Sequence, residues 1–226
     1  MRSGAHITAA YLAPDARERY PEACEALLRA DAVYEVAEGA ARALADTQAP
    51  QGIFCVVERP DSAELRNLDA AGAYLVLEDI RDPGNLGTML RTAEALALDA
   101  VVLSEGCADL FSPKVTRASM GAVFRLPAVT GADAPQALRQ LGVRGVKTYA
   151  AVASGGALDI RAADLSGGVA LAVGNEGNGL TEECVRACGA RVTIPMRGRA
   201  ESLNAASAAA ILVWELARRR EAPAAR

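Results

Sequence analysis

The sequence predicts an α/β protein with a parallel sheet, preceded by a smaller α/β unit. Three observations carry that reading. From Tyr74 onward, short apolar runs alternate regularly with helical patterns, and strands apolar on both sides belong to sheets covered on both faces. Of the 226 residues 51% are apolar, enough for a sizeable core. Polar residues gather just after the apolar runs, at the strand ends where such sheets bind ligands.

The elements follow in order. "HITAAYLA" reads as a strand. "PEACEALLRA" opens on a proline suited to the first helical position. "AVYEVA" is a strand, "EGAARALADT" a helix and "GIFCVVE" a strongly apolar strand. The polar "RPDSAELRNLDAAG" reads as a linker. Residues 1–65 therefore form a small domain. Its first strand begins almost at residue 1, so it is expected to be incomplete at its N-terminus. The larger domain covers 74–219. Its strands are expected at Tyr74–Glu78, Ala100–Leu103, Phe124–Pro127, Thr148–Val152, Val169–Val173 and Arg191–Pro195, and its helices at Leu86–Leu98, Pro113–Ser119, Ala134–Leu141, Thr181–Ala187 and Leu203–Arg219.

Composition narrows the chemistry. The longest near-continuous apolar run, Ala205–Trp214, is about half a membrane span. The opening residues lack the apolar core of a signal peptide, and a cytoplasmic protein is expected. Five cysteines at irregular spacing suit reduced thiols, and Cys184 and Cys188 read as small core residues. His6 is the one histidine. An imidazole-based triad has only that terminal candidate, and no metal site is expected. Net charge is −4. Residues 1–69 hold 7 basic and 12 acidic side chains, whereas Lys114, Arg117 and Arg125, and again Arg197 and Arg199, form local basic clusters in the larger domain.

Three stretches carry polar chemistry to the strand ends. In "EDIRDPGNLGTMLRTAEALAL", Asn85 reads as a helix N-cap and Arg91 stands in an otherwise apolar run. In "LAVGNEGNGLTEE", a strand breaks into a glycine-rich turn whose order, Gly174, Gly177, Gly179, fails the dinucleotide fingerprint. Asn175 and Glu176 stand out in it, because a tight turn does not require a glutamate. In "PMRGRAESLNAASAAAILVWE", Ser202 reads as the cap of an apolar helix, and capping leaves Asn204 without a reason.

Together "NLGTMLRTA", "VGNEGNGL" and "IPMRGRAESLNAASAAAI" resemble the three motifs of the SpoU/TrmH-type RNA ribose 2'-O-methyltransferases, of the knotted SPOUT superfamily. "RASMGAVFRLP" fits the region between the first two. The resemblance spans about residues 74–217. It implies a C-terminal deep trefoil knot, a homodimer with sites near the subunit interface, and S-adenosylmethionine as cofactor. Residues 1–65 are similar to the small ribosomal-protein-like α/β domain that many rRNA members carry in front. By resemblance, Gly174, Ile194 and Leu203, with neighbouring Asn175 and Met196, hold the cofactor. Asn85, Arg91, Glu176, Ser202 and Asn204 surround the reacting ribose, and Arg117, Arg125, Arg197 and Arg199 contact RNA.

The implied reaction is attack of a ribose 2'-hydroxyl on a sulfonium methyl, without metal. The family proposal makes Arg91 the base. A guanidinium with a pKa of roughly 12.5–13.8 is costly to deprotonate, so a phosphate clamp is the other role for Arg91. Glu176 would hold Arg91 or Asn85 in place. Ribosomal RNA, 23S in particular, is favoured over tRNA because of the small N-terminal domain. A noncatalytic RNA-binding protein of this fold and a nucleotide-dependent oxidoreductase are the competing readings.

Overall fold

The structure is a computed structural model that describes residues 5–45, 47, 49–153 and 156–221. The chain divides into two compact units, Met1–Asp61 and Ser62–Arg226.

The first unit contains β1 (Ile7–Leu12), α1 (Ala16–Arg19), α2 (Pro21–Ala26), β2 (Val33–Glu35), α3 (Glu38–Leu44) and β3 (Ile53–Val57). The strands order as β2-β1-β3, with β1 parallel to β2 and antiparallel to β3. Ala10, Leu12, Cys24, Leu27 and Ala41 form its small core. The helix expected to reach Thr47 stops at Leu44, and Asp46 lies outside the described residues. His6 ties this unit's loops together: Nε2 lies 2.9 Å from Asp31 Oδ1, and Nδ1 lies 2.9 Å from Glu58 Oε2.

The second unit holds seven strands, all parallel: β4 (Ala73–Leu77), β5 (Ala100–Ser104), β6 (Ala128–Ala132), β7 (Lys147–Ala151), β8 (Leu158–Asp159), β9 (Val169–Val173) and β10 (Ala190–Thr193), in the order β6-β5-β4-β9-β7-β10-β8. The period-two rule divides its side chains cleanly. Leu75 and Leu77 of β4, with Leu171 and Val173 of β9, face α4 (Pro83–Ala95), α5 (Pro113–Ala118) and α8 (Ala205–Glu221). Tyr74, Val76, Ala170 and Ala172 face α6 (Ala134–Val143) and α7 (Glu182–Ala187). Both central strands are buried throughout, which is why they read as continuous apolar runs.

Two expectations need correction. The strand expected at Phe124–Pro127 lies at Ala128–Ala132 instead. Ala122–Phe124 is a 3-10 turn, entered through Gly121 at φ 82°, and Ala122, Val123 and Leu126 point into the core. Pro127 has no N–H to give a ladder and precedes the strand, its carbonyl accepting from Val101. Secondly, the expected linker from Ser62 onward belongs to the second unit. Ala63 N–H donates to the Ala128 carbonyl, Leu68 is buried, and Arg144 donates to the carbonyls of Leu65 and Leu68. The segment looked like a linker because its anchors are mostly main-chain groups. The apolar residues of α8 divide between inside and outside. Leu212, Val213 and Leu216 are in the core, whereas Ile211 and Trp214 are 41% and 58% exposed.

The hydrogen bonds to Asp31, then Glu58, raise the His6 pKa above its ordinary value. Its contribution to stability is therefore full below the unfolded value of about 6.5 and fades as pH rises through the folded one. Thermal melts of wild type and His6→Ala should differ most between about pH 5 and 6 and converge at alkaline pH. A gap independent of pH would show that the imidazolium is not what the two carboxylates hold.

Candidate functional site

Adjacent parallel strands release their following loops at the same edge, so the loops after β4 and β9 meet. Glu78 ends β4 as a buried carboxylate. Its oxygens accept from the Thr181 N–H at 2.7 Å and the Thr181 hydroxyl at 2.8 Å, satisfying a charge that would be costly if left unpaired. Thr181 Oγ1 in turn caps α7 by accepting from Cys184 N–H. Burial, then the nearby Glu78 charge, raises the thiol pKa of Cys184 and pushes Cys188 up to about 12. Both therefore stay protonated and act as packing residues. Neither Glu78 nor its link to Thr181 was foreseen from sequence.

Between these anchors the glycine-rich loop folds back on itself. Asn175 Oδ1 accepts from the N–H groups of Gly177 and Asn178 at 2.9 and 3.2 Å. Its Nδ2 donates to the Asp79 carbonyl at 2.8 Å. Asp79 has φ 55°, in the left-handed region, and the Ser104 hydroxyl receives its N–H. At Gly174 a Cβ would lie 2.3 Å from the backbone of Gly179 and Leu180, so this position admits only glycine without movement of the loop.

A second set of side chains joins three chain segments. Asp82, not Asn85, caps α4: its carboxylate accepts from Asn85 N–H at 2.7 Å. Asn85 therefore lies in the first helical turn, with its side chain free to bridge. Asn85 Nδ2 donates to Glu176 Oε1 at 3.0 Å, and Asn204 Nδ2 donates to Asn85 Oδ1 at 3.1 Å. Asn204 Oδ1 accepts from the N–H groups of Ala206 and Ser207 at 2.9 and 3.2 Å, as an N-cap does. The cap of α8 is thus Asn204 rather than Ser202. Burial disfavours the Glu176 charge, but hydrogen bonds from Asn85 and from backbone N–H groups outweigh it and hold the carboxyl below its usual range.

A cavity of about 380 Å³ opens beside this chain of side chains. The end of β9 with the glycine-rich loop forms one wall, Val192–Ile194 and Met196 another, and Leu203, Ala208 and Leu212 a third. Gly174, Asn175, Ile194, Met196 and Leu203 all line it, as do Glu176 and Ser202. Asn85, Arg91 and Asn204 do not. Ala151–Ala153, at and just after the end of β7, also line it and were missed, because short apolar residues at a strand end carry no signal of a site. Small apolar side chains and exposed backbone groups suit a purine ring with a short polar tail, which is the shape and chemistry of S-adenosylmethionine.

Arg91 stands apart. It is exposed, and its guanidinium makes no hydrogen bond or ion pair with the described residues. Six helical residues place it roughly 9 Å along α4 from Asn85 and about 120° round. Glu176 therefore holds Asn85 and not Arg91. Arg117, Arg197 and Arg199 are exposed. Arg125 is already engaged, its Nε 2.6 Å from Glu94 Oε1, which makes it a poorer phosphate ligand than its sequence neighbours suggested.

The family model described as the SpoU rRNA methylase family matches residues 72–214. The chain belongs to that family. It is 40% identical to a Bacillus subtilis 23S rRNA (guanosine(2553)-2'-O)-methyltransferase, over 81% of this chain and 71% of that one. It is 31% identical to the zebrafish (Danio rerio) mitochondrial rRNA methyltransferase 3A, over 75% of this chain and only 50% of that protein's length. An S-adenosylmethionine-bound rRNA methyltransferase structure from Sinorhizobium meliloti superposes with a TM-score of 0.82 at 32% identity, covering 96% of this chain and 82% of that one. A structure described by 2-OH methylation of C/U34 on tRNA gives 0.58 at 30% identity and covers 66% of this chain and 97% of that one.

Two substitutions separate the roles in this site. Asn204→Ala should cost about 1 kcal/mol of stability through the lost cap, while Ser202→Ala should stay within about 0.5 kcal/mol; denaturant melts read both, and equal losses would contradict the cap assignment. Gly174→Ala should open the loop and weaken S-adenosylhomocysteine binding measured by calorimetry, with an unchanged affinity counting against the packing argument.

Proposed function

We propose that this protein transfers the methyl group of S-adenosylmethionine to a ribose 2'-hydroxyl of ribosomal RNA, 23S rRNA in particular. The observation that carries the reading is the hydrogen-bonded run Asn204–Asn85–Glu176 beside a cavity lined by Gly174, Ile194 and Leu203. Bound S-adenosylmethionine supplies an electrophilic methyl group, so no metal is needed. The chain's residues do the rest. The glycine-rich loop and Leu203 seat the cofactor. Asn85 and Asn204, each oriented by its partners, line up polar groups where the ribose enters. Arg91 keeps its donors available and clamps the phosphate beside the target ribose. Arg117, Arg197 and Arg199 add contacts to the RNA backbone.

Ribosomal RNA is preferred over tRNA because the rRNA methyltransferase structure matches 96% of this chain, first unit included, whereas the tRNA one matches 66%. The first unit is assigned to RNA recognition. The second unit is assigned a trefoil knot. Support comes from its topology: β10 lies beyond β7, far from β4, yet α8 packs on α4 next to β4, so the segment between must cross back. A homodimer is assigned through the outer face of α8, where Ile211 and Trp214 are exposed. Among the described residues no helix is long and apolar enough to cross a membrane, and the cytoplasm is the assigned location.

Arg91→Ala should abolish methyl transfer to RNA yet leave S-adenosylhomocysteine affinity within about twofold; near-native turnover would remove Arg91 from the mechanism. Labelled S-adenosylmethionine incubated with RNA lacking the modification should place label on a ribose of 23S rRNA. Label on tRNA alone would change the substrate, and label on a base would change the reaction.

A further inference from the structure

Between α5 and the 3-10 turn that follows it, the chain passes through Ser119, Met120 and Gly121. Ser119 is fully buried, its hydroxyl donating to the Thr116 carbonyl at 2.9 Å. Gly121 takes a left-handed φ of 82°, as glycine can. Met120 also takes a left-handed φ, 50°, and its side chain is 66% exposed. An unbranched apolar residue held in that conformation and turned to solvent is unfavourable twice over. Its backbone would be at ease with glycine or asparagine, and its side chain gains nothing from burial. Such strain persists where it serves a contact.

The turn has a defined place. Gly87, Arg91 and Glu94 recur at the i, i+4 and i+7 spacing of one face of α4. A Cβ on Gly87 would meet Ala118 Cβ at 2.4 Å and Ser119 N at 3.0 Å, so the start of that face presses on the end of α5. Glu94 holds Arg125 at 2.6 Å at the other end, and Arg125 Nη2 reaches back to the Met120 carbonyl at 3.5 Å. By that spacing Arg91 shares this face of α4 and lies between the two residues that make these contacts, on the side that bears the Met120 turn. On the other flank, Lys114 and Arg117 are exposed one helical turn apart on α5, and Met120 N–H donates to the Arg117 carbonyl at 3.2 Å.

We infer that Met120 contacts an unstacked RNA base next to the ribose that is methylated. The inference rests on the reading of Arg91 as the residue beside that ribose. An apolar tip among Arg91, Lys114 and Arg117 suits a partner that is both polyanionic and flat and apolar, and an RNA nucleotide turned out of its stack is both. The polarisable thioether adapts to a base face, and the Glu94–Arg125 pair keeps the turn in place while RNA arrives.

The test uses Met120→Gly, Met120→Asn and Met120→Leu in the whole protein, with the RNA that wild type methylates. Glycine and asparagine relieve the backbone, so both variants should melt no lower than wild type. Their KM for RNA should rise about five- to tenfold, with S-adenosylhomocysteine affinity and kcat within about twofold. Met120→Leu keeps an apolar tip and should hold KM within about twofold. A KM unchanged in Met120→Gly while wild type methylates RNA overturns the contact alone. So does dissociation of a wild-type dimer by Met120→Gly in sedimentation, which would give the side chain to a second copy. A wild type that transfers no methyl group to any RNA overturns the functional reading and this inference with it.

Discussion

A buried carboxylate at the end of a central strand organises everything built above it. Glu78 terminates β4 inside the protein, and its charge is tolerated there because Thr181, 103 residues later, brings it two donors. That demand fixes where the glycine-rich loop must end. Asn175 fixes where the loop begins, through the Asp79 carbonyl. With both ends tied to the loop after β4, residues 174–180 have one course, and the wall of the cavity follows from it. Replacing Glu78 by an apolar side chain would leave the Thr181 N–H without its acceptor and release the loop from the strand.

The chemistry of the site divides between a rigid part and an open part. Asn85, Glu176 and Asn204 hold one another, so their amide orientations are set before any ligand enters, and little ordering is required when one does. The side chains of Arg91, Arg197 and Arg199 make no hydrogen bond or ion pair with the described residues. Residues of the first kind suit a reacting group that must be placed within fractions of an ångström. Residues of the second kind suit a long polyanion whose phosphates arrive in varied geometry.

Much of this was legible in the sequence, for physical reasons that differ from residue to residue. The buried strands announced themselves because strands covered on both faces must be apolar throughout. Glu176 stood out because a tight turn does not require a glutamate, and Asn85 and Asn204 because each opens a helix within a stretch that resembles a family motif. What stayed hidden depends on partners distant in the chain. The Glu78–Thr181 link could not be read from either residue, and the engagement of Arg125 required knowing that Glu94 faced it. The caps were misplaced by two or three residues because Asp82, Asn85, Ser202 and Asn204 are all good capping types, and local preference cannot choose among them. The strand at Phe124–Pro127 was misplaced because "FRLP" alternates apolar and polar residues as a strand does, while the left-handed pair Met120–Gly121 that turns the chain inward leaves no periodic trace.

The double duty of Asn204 bears on when the protein becomes active during its synthesis. One end of its amide caps α8 and the other orients Asn85, so the side chain takes up its place only once α8 exists as a helix on α4. That helix follows every other described element in the chain and is the last of them to leave the ribosome. Until it docks, Asn85 has no donor on its carbonyl oxygen, and Leu203, Ala208 and Leu212 are missing from the cavity wall. The site is therefore complete only once α8, the last described helix, is in place.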